Sequence, residues 1–475
     1  MTILRTKTEL YEHQEKAFHK LSIIKVGALY MEMGTGKTRT ALELCAKRIN
    51  AGKVSKVLWL CPCSVKDTIV QEIDKHVEGC LSLFEICGIE TLSSSIKTNV
   101  QLLRLVQSES TFLIVDESNL VKNHKAIRTK NITRLAEFCT YKLILNGTPI
   151  SRNEADLYAQ WKILDWRILG YKSFWSFSRN HINWDERIPG KIRSMKNTRH
   201  LVERIAPYTY QVRKSECITL PPKTYKTVYY SLTAQQYEHY NAVADELFFQ
   251  LDELEPHTIY RLFTGMQNVI SGFRVKVGKK LEKTYFFQNP LDNPRVQTLF
   301  SLIEQIGEEK IIVFCKYTRE IHEITTLLNA KYGVGSAVPF NGEVTQKKRQ
   351  AHKKAFTQNA RFLVANKTCA GYGLNLQFCS YAIFYNNDWD YATRGQAEDR
   401  IHRIGQNQNV HILDICARGT LDHRILTCLS RKQDLVESFK HYVENMKDRK
   451  DLSLLARAWV EGGKKVGERK VGESI

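Results

Sequence analysis

The chain has 475 residues, 43% apolar and 25% charged, which implies a soluble globular protein of two to four domains. No apolar run reaches the ~20 residues that span a bilayer. The start, "MTILRTKTELYEHQEKAF", lacks the apolar stretch of an export signal, so a cytoplasmic location is expected, or a nuclear one in a cell that has a nucleus. Seventy Lys and Arg against 50 Asp and Glu give a net charge of +20. That surplus favours a polyanionic partner, either nucleic acid or an acidic membrane surface. The twelve cysteines include no C-x-x-C pair, so buried reduced thiols are expected in place of a zinc site.

In chain order, "LYEHQEKAFHKLSII" reads as an amphipathic helix and "GALYMEM" as a short apolar strand. The strand runs into "GTGKT". Gly34, Gly36, Lys37 and Thr38 fit the end of G-x-x-x-x-G-K-[ST], although Met31 stands where its first glycine would fall. In that pattern backbone N–H groups wrap the phosphates, the lysine neutralises β/γ charge and the hydroxyl ligates Mg²⁺. The alternative is a plain glycine turn between strand and helix. "TRTALELCAKRIN" continues as a helix, "KVLWLCPC" as a strand and "VKDTIVQEIDKHV" as a helix. "TFLIVDES" is a strand that ends in Asp116-Glu117. Carboxylates at such a strand end, following a phosphate loop, suit a Mg²⁺ ligand and a group that orients or deprotonates the attacking water. "YKLILNGTPI" is a further strand.

Residues 151–220 are aromatic and basic and show no strand periodicity. "TYKTVYYSL" alternates as a strand, and two helical stretches follow it. "KIIVFCKY", "RFLVANK" and "YAIFYN" are strands separated by helical patterns, so a second α/β unit opens near residue 290. The tail "EGGKKVGERKVGESI" is expected to be disordered.

With these motifs in place, the chain from residue 9 to 440 resembles the Swi/Snf-type ATPases of helicase superfamily two. "LYEHQEKAFHKL" is similar to the family's adenine-side motif, with Gln14 as the glutamine. "MGTGKT" resembles a phosphate loop that in this family also lacks the first glycine, and it brings in Met33 and Thr35. "LIVDESNLVKN" resembles D-E-A-H…K-N and "LILNGTPISRNEADLY" the T-G-T-P motif. "CAGYGLNLQFCSYAIFYNNDWDYATRGQAEDRIHRIGQ" resembles G-x-G-L-N-L followed by Q-A-x-D-R-x-H-R-I-G-Q. The resemblance implies an α/β fold of two tandem RecA-like parallel-sheet lobes with helical insertions. Lobe one would be 1–220, with 151–220 as a helical protrusion. A linker and helical insertion would occupy 221–290, lobe two 291–440, and a C-terminal helix and basic tail 441–475.

It further implies ATP and Mg²⁺ as cofactors, with Lys37, Asp116 and Glu117 catalytic, Thr38 and Asp116 on the metal, and Gly373 and Gln396 facing the nucleotide. Arg400 and Arg403, whose spacing would put them on one helix face, would reach the ATP from lobe two. Duplex DNA would be gripped by Ser64, Lys66, Lys122, Asn123 and Thr148 on lobe one, and by Lys316, Arg349, Lys367, Thr368 and Asn375 on lobe two. Three departures stand out. Ser118-Asn119 replace A-H, Asn146 replaces the first Thr of T-G-T, and Tyr372 stands where an acid is usual. The first two put motif coupling in doubt without removing the hydrolytic acids. The implied function is an ATP-dependent translocase on double-stranded DNA, branched or forked DNA included. A strand-separating helicase and an ATP-gated binding module with little hydrolysis remain open. The compact architecture suggests a bacterial or phage protein in replication, recombination or repair, with partner proteins from those pathways and no membrane.

Overall fold

The computed structural model describes residues 3–78, 81–147, 153–186, 190, 192–249, 256–277, 281–370, 374–431, 435 and 438. Thr148, Gly373 and the tail 441–475 lie outside these described residues. The chain divides into two compact units at Leu220–Pro221.

The first unit is built on six parallel strands: β1 (Val26–Met31), β2 (Lys56–Cys61), β3 (Phe84–Gly88), β4 (Thr111–Val115), β5 (Tyr141–Asn146) and β6 (Thr209–Val212). Their order across the sheet is β6-β1-β5-β4-β2-β3. Near-continuous apolar runs are what a parallel sheet covered on both faces demands. The period of two divides these runs between two cores. Leu58, Leu60, Leu113, Val115 and Ile144 pack on one face. Val57, Trp59, Phe112, Ile114, Leu143 and Leu145 pack on the other.

The stretch expected as a helical protrusion, 151–220, carries strands as well as helices. It holds helices Asp156–Leu169, Phe174–His181 and Thr198–Ile205, and a short hairpin of Ile182–Trp184 with Ile192–Met195. It then returns to the main sheet as β6, beside β1. Its aromatics split between roles. Tyr158, Trp161 and Phe177 are core, whereas Trp166, Trp175 and Trp184 are exposed.

The second unit repeats the plan with β7 (Lys223–Tyr230), β8 (Ile311–Cys315), β9 (Ala337–Phe340), β10 (Phe362–Asn366), β11 (Tyr381–Phe384) and β12 (Val410–Ala417). The order is β7-β12-β11-β8-β10-β9, again all parallel. The reading of 221–290 as linker and insertion is therefore corrected at its start. β7 pairs with β12 along eight residues and is an edge strand of this sheet. Its largely exposed side chains, with Tyr230 alone buried, suit an edge better than a tether. The helices Ala234–Phe249 and Pro256–Ile270 follow it, and the second of them packs Ile259, Phe263 and Met266 into the unit's core.

Candidate nucleotide site

In parallel sheets ligands bind beyond the carboxyl ends of the strands. In the first unit that edge carries the loop after β1, the turn after β4 and the loop after β5. β5 separates β1 from β4, so two ladder steps set the phosphate loop and the acidic turn ~10 Å apart. The phosphate loop turns on Gly34 and Gly36, at φ +81° and +85°, a region that disfavours side chains. Gly36 caps the helix Lys37–Asn50, so the first helical N–H groups open at the loop, the arrangement that attracts anions. A Cβ at Gly36 would lie 2.1 Å from Gln14 Nε2. Gln14 and His13 are both buried and both hold the Thr35 carbonyl, at 3.1 and 2.8 Å. Gln14, expected on the adenine side, is thus placed against the loop backbone and lashes its own helix, Glu12–Ser22, to it.

Lys37 Nζ donates to the Met31 carbonyl at 2.8 Å, which keeps the ammonium at the loop mouth. Glu32 is braced from β6. Its N–H donates to Val212 O at 3.1 Å, and its carboxylate accepts the Lys214 N–H at 2.7 Å. Met33 and Thr38 are half-buried. A Cβ at Gly147 would meet Met33 N at 3.4 Å, so Gly147, just past β5, lies directly against the phosphate loop.

At the end of β4, the Asp116 N–H donates to Leu60 O at 2.7 Å, and Asp116 Oδ1 accepts the Glu117 N–H at 2.9 Å. Glu117 is left-handed, with φ +49° and ψ +54°. For a residue with a Cβ that conformation costs ~1 kcal/mol or more. Glu117 is only 8% exposed, and its Oε2 is buried with no hydrogen-bond partner among the described residues. A strained backbone and an unpartnered buried carboxylate oxygen coincide at this one residue.

The two departures at coupling positions lie together. Asn146 Nδ2 donates to Ser118 Oγ at 3.3 Å, and Ser118 Oγ donates to Gln160 Oε1 at 2.6 Å. Gln160 Nε2 donates to the Asp156 carbonyl at 2.9 Å, and Ser118, Asn146 and Gln160 are all buried. One residue on, Trp161 Nε1 donates to the hydroxyl of Tyr30 in β1 at 2.9 Å. The helix Asp156–Leu169 therefore touches the phosphate-loop strand, the acidic turn and the end of β5. Gln160 belongs to no quoted motif. The paired Ser118 and Asn146 substitutions are the sequence signal that a third polar partner exists. Gln160→Leu leaves the Ser118 hydroxyl buried without its acceptor, which costs about 1–3 kcal/mol. The expected result is a lower melting temperature and a several-fold lower kcat at unchanged KM for ATP, with Ser118→Ala in the same chain recovering part of the stability. Thermal melts and steady-state kinetics of the single and double variants check this.

In the second unit, the helix Tyr391–Glu398 carries half-buried Gln396 and is fixed by buried Arg394. That guanidinium donates to Asp414 at 2.6 and 3.0 Å, to Asn387 Oδ1 at 2.6 Å and to Glu398 at 2.8 Å. It also stacks 3.4 Å over Phe384. Glu398 accepts in addition from Lys223 at 3.1 Å and Tyr225 at 2.8 Å, both on β7. Burial works against the Glu398 carboxylate, but Arg394 and Lys223 outweigh it and hold it below its ordinary range.

Arg400 and Arg403 do not share a helix face, because the helix ends at Glu398. Beyond it the chain turns. Arg400 O accepts the Leu376 N–H at 3.1 Å, and Gln406 Nε2 donates to the carbonyls of Ile401 and Cys379 at 3.2 and 3.0 Å. Arg403 Nη1 donates to Asn375 Oδ1 at 2.5 Å. Asn375, expected on DNA, is thus an arginine-positioning group.

Several other expected DNA contacts also have internal partners. Lys367 is 2% exposed, and its Nζ lies 3.2 Å from Asn386 O and 3.4 Å from Asp388. Burial lowers its pKa, and Asp388 only partly offsets this. It is corrected from a phosphate contact to an internal cation. Lys316 clasps the same carboxylate at 3.2 Å, bonds Gln267 and lies 4.3 Å over Trp389. Lys122 faces Asp156 at 3.7 Å, and Asn123 Oδ1 accepts the Lys125 N–H at 2.9 Å. Ser64 and Thr368 are exposed, and Lys66 and Arg349 are half-buried. Arg349 Nε is buried with no partner among the described residues. Its helix, Gln346–Gln358, also displays Lys347, Lys348 and Lys354 to solvent, a basic face that no quoted motif marks.

Fold and site define a two-unit α/β protein with a phosphate loop and an acidic strand end in the first unit and an anchored arginine pair in the second. Residues 84–283 match the family described as SNF2-related domain, and residues 294–405 the helicase conserved C-terminal domain. The chain belongs to the Swi/Snf-type family of helicase superfamily two, a family of DNA-dependent ATPases. It is 24% identical over 433 residues to the uncharacterized ATP-dependent helicase YqhH of Bacillus subtilis, covering 86% of this chain and 74% of YqhH. It is 23% identical over 440 residues to the ISWI chromatin-remodeling complex ATPase CHR11 of Arabidopsis thaliana, of which it spans 39%. Among solved structures, a Sulfolobus solfataricus SWI2/SNF2 ATPase core in complex with dsDNA aligns over 93% of this chain and 96% of its own, at 20% identity and a TM-score of 0.40.

Proposed function

We propose that the chain hydrolyses ATP on its first unit and uses the hydrolysis to travel along double-stranded DNA, remodelling protein–DNA or branched DNA structures as it goes. The observation that carries the hydrolytic reading is Glu117, strained, buried and with a carboxylate oxygen that has no partner among the described residues, at the edge that holds the phosphate loop. Glu117 orients the attacking water and takes its proton. The water oxygen bonds to the γ-phosphorus, the bond to the β–γ bridging oxygen breaks, and ADP and phosphate leave. Lys37 neutralises the β/γ oxygens, and Arg400 and Arg403 stabilise the charge that develops on the transferring phosphoryl group.

The donor set suits Mg²⁺, which takes one or two carboxylates and completes its shell with phosphate oxygens and water. Asp116 and the Thr38 hydroxyl would hold it. Bound there, Mg²⁺ would supply charge neutralisation for the phosphates.

The DNA reading is supported by family membership and the +20 charge. Phosphate contacts are sequence-independent and suit tracking; the groups proposed for them are Ser64, Lys66, Arg349 and Thr368. A triplex-displacement assay tests the motion. The expected result is ATP-dependent release of the third strand from duplex, absent with a non-hydrolysable analogue, while a forked duplex stays paired. Separation of the forked strands would make the chain a helicase instead.

A further inference from the structure

The first unit has a second concave site whose lining includes none of the phosphate-loop residues. It is a cleft of about 500 Å³ between the helix Ile127–Ala136 and the segment Tyr158–Phe174. That volume is in the range of sites that take small organic groups. Lys130, Arg134, Lys162 and Lys172 line it, with Glu137 the one carboxylate of the lining among the described residues. Lys130 and Arg134 are four apart on one helix face and exposed. The wall between the cations is aromatic. His124 stacks on Phe174 with centroids 3.9 Å apart and planes 18° apart, and Tyr158 meets Phe174 edge-on at 5.3 Å. Burial first, and then Lys125, Lys162 and Lys130, push the His124 imidazole below its usual pKa, so near neutrality the ring is uncharged and serves as a stacking surface.

We infer that this cleft binds an unpaired DNA strand, with a base against the His124–Phe174 stack and flanking phosphates on Lys130, Arg134, Lys162 and Lys172. A duplex keeps its bases stacked inside and offers only phosphates to such a wall. An open strand offers both a π-face and charge, the pairing that single-strand sites use. The inference rests on the reading of the chain as a DNA-tracking ATPase and adds a place for the loose strand of a branched or forked substrate.

The test uses the full chain, a fluorescein-labelled oligothymidylate of about 12 nucleotides and a blunt duplex, with anisotropy measured across a salt series. Lys130→Ala/Arg134→Ala is expected to weaken oligothymidylate binding at least tenfold and to flatten its log–log salt slope by roughly 1.4, at about 0.7 per single-strand contact. His124→Ala is expected to weaken oligothymidylate binding at least fivefold with the slope unchanged, since it removes stacking and not charge. Both variants keep duplex affinity and duplex-stimulated hydrolysis. Oligothymidylate binding unchanged in both variants would overturn the inference, as would an equal loss for duplex and single strand. Duplex stimulation is measured on the same proteins. A wild type that binds oligothymidylate through this cleft but shows no stimulation would refute the translocase reading and leave the cleft standing.

Discussion

Glu117→Gln binds ATP with wild-type affinity and turns it over about 10²–10⁴-fold more slowly. Glutamine keeps the size and one oxygen of the side chain but accepts no proton at neutral pH. The groups proposed to bind ATP lie elsewhere, in the Gly34–Thr38 loop and its helix, so affinity is expected to survive. The substitution also removes a charge from a buried site at which Oε2 has no partner among the described residues, so the folded chain loses no stability from it. Single-turnover hydrolysis beside nucleotide-binding titrations measures the two quantities separately. Near-normal turnover would remove Glu117 from the chemistry and leave its strained backbone without a functional explanation.

Arg403→Ala is expected to lower kcat by about 10³-fold, the scale of a guanidinium that meets the transferring phosphoryl group. KM for ATP changes little if the arginine acts in the transition state rather than in binding. Arg403→Lys does not restore activity, because a lysine lacks the fork that bonds Asn375 and presents further donors at the same time. Asn375→Ala gives an intermediate loss. It frees the guanidinium from its 2.5 Å anchor without removing the charge. A kcat for Arg403→Ala within a few-fold of wild type would contradict the assigned role.

How much of this was legible in the sequence depends on whether the signal was local. Apolar strands such as "TFLIV" are local, and so is the glycine pair before Lys37; both are found where expected, as β4 and as the positive-φ turns. β3, β9 and β12 carry no motif. They are defined by the neighbours they pair with, information that a single sequence does not hold. The spacing of Arg400 and Arg403 suggests a helix face, but the Gln406 amide and the Leu376 N–H capture the carbonyls that a longer helix would have used. Lys367 reads as a basic loop residue. Its burial follows from Asp388, 21 positions away, which no periodicity connects to it. The partnership of Ser118, Asn146 and Gln160 is non-local in the same way. What reads as two weakened motif positions is one hydrogen-bonded group.

The most direct test of duplex-coupled hydrolysis is the steady-state rate of phosphate release by the intact chain at saturating ATP, with and without blunt duplex DNA. Duplex is expected to raise the rate many-fold in wild type and to leave it near background in Glu117→Gln and Arg403→Ala. A wild-type rate that ignores duplex, or stimulation that survives in either variant, would contradict this expectation.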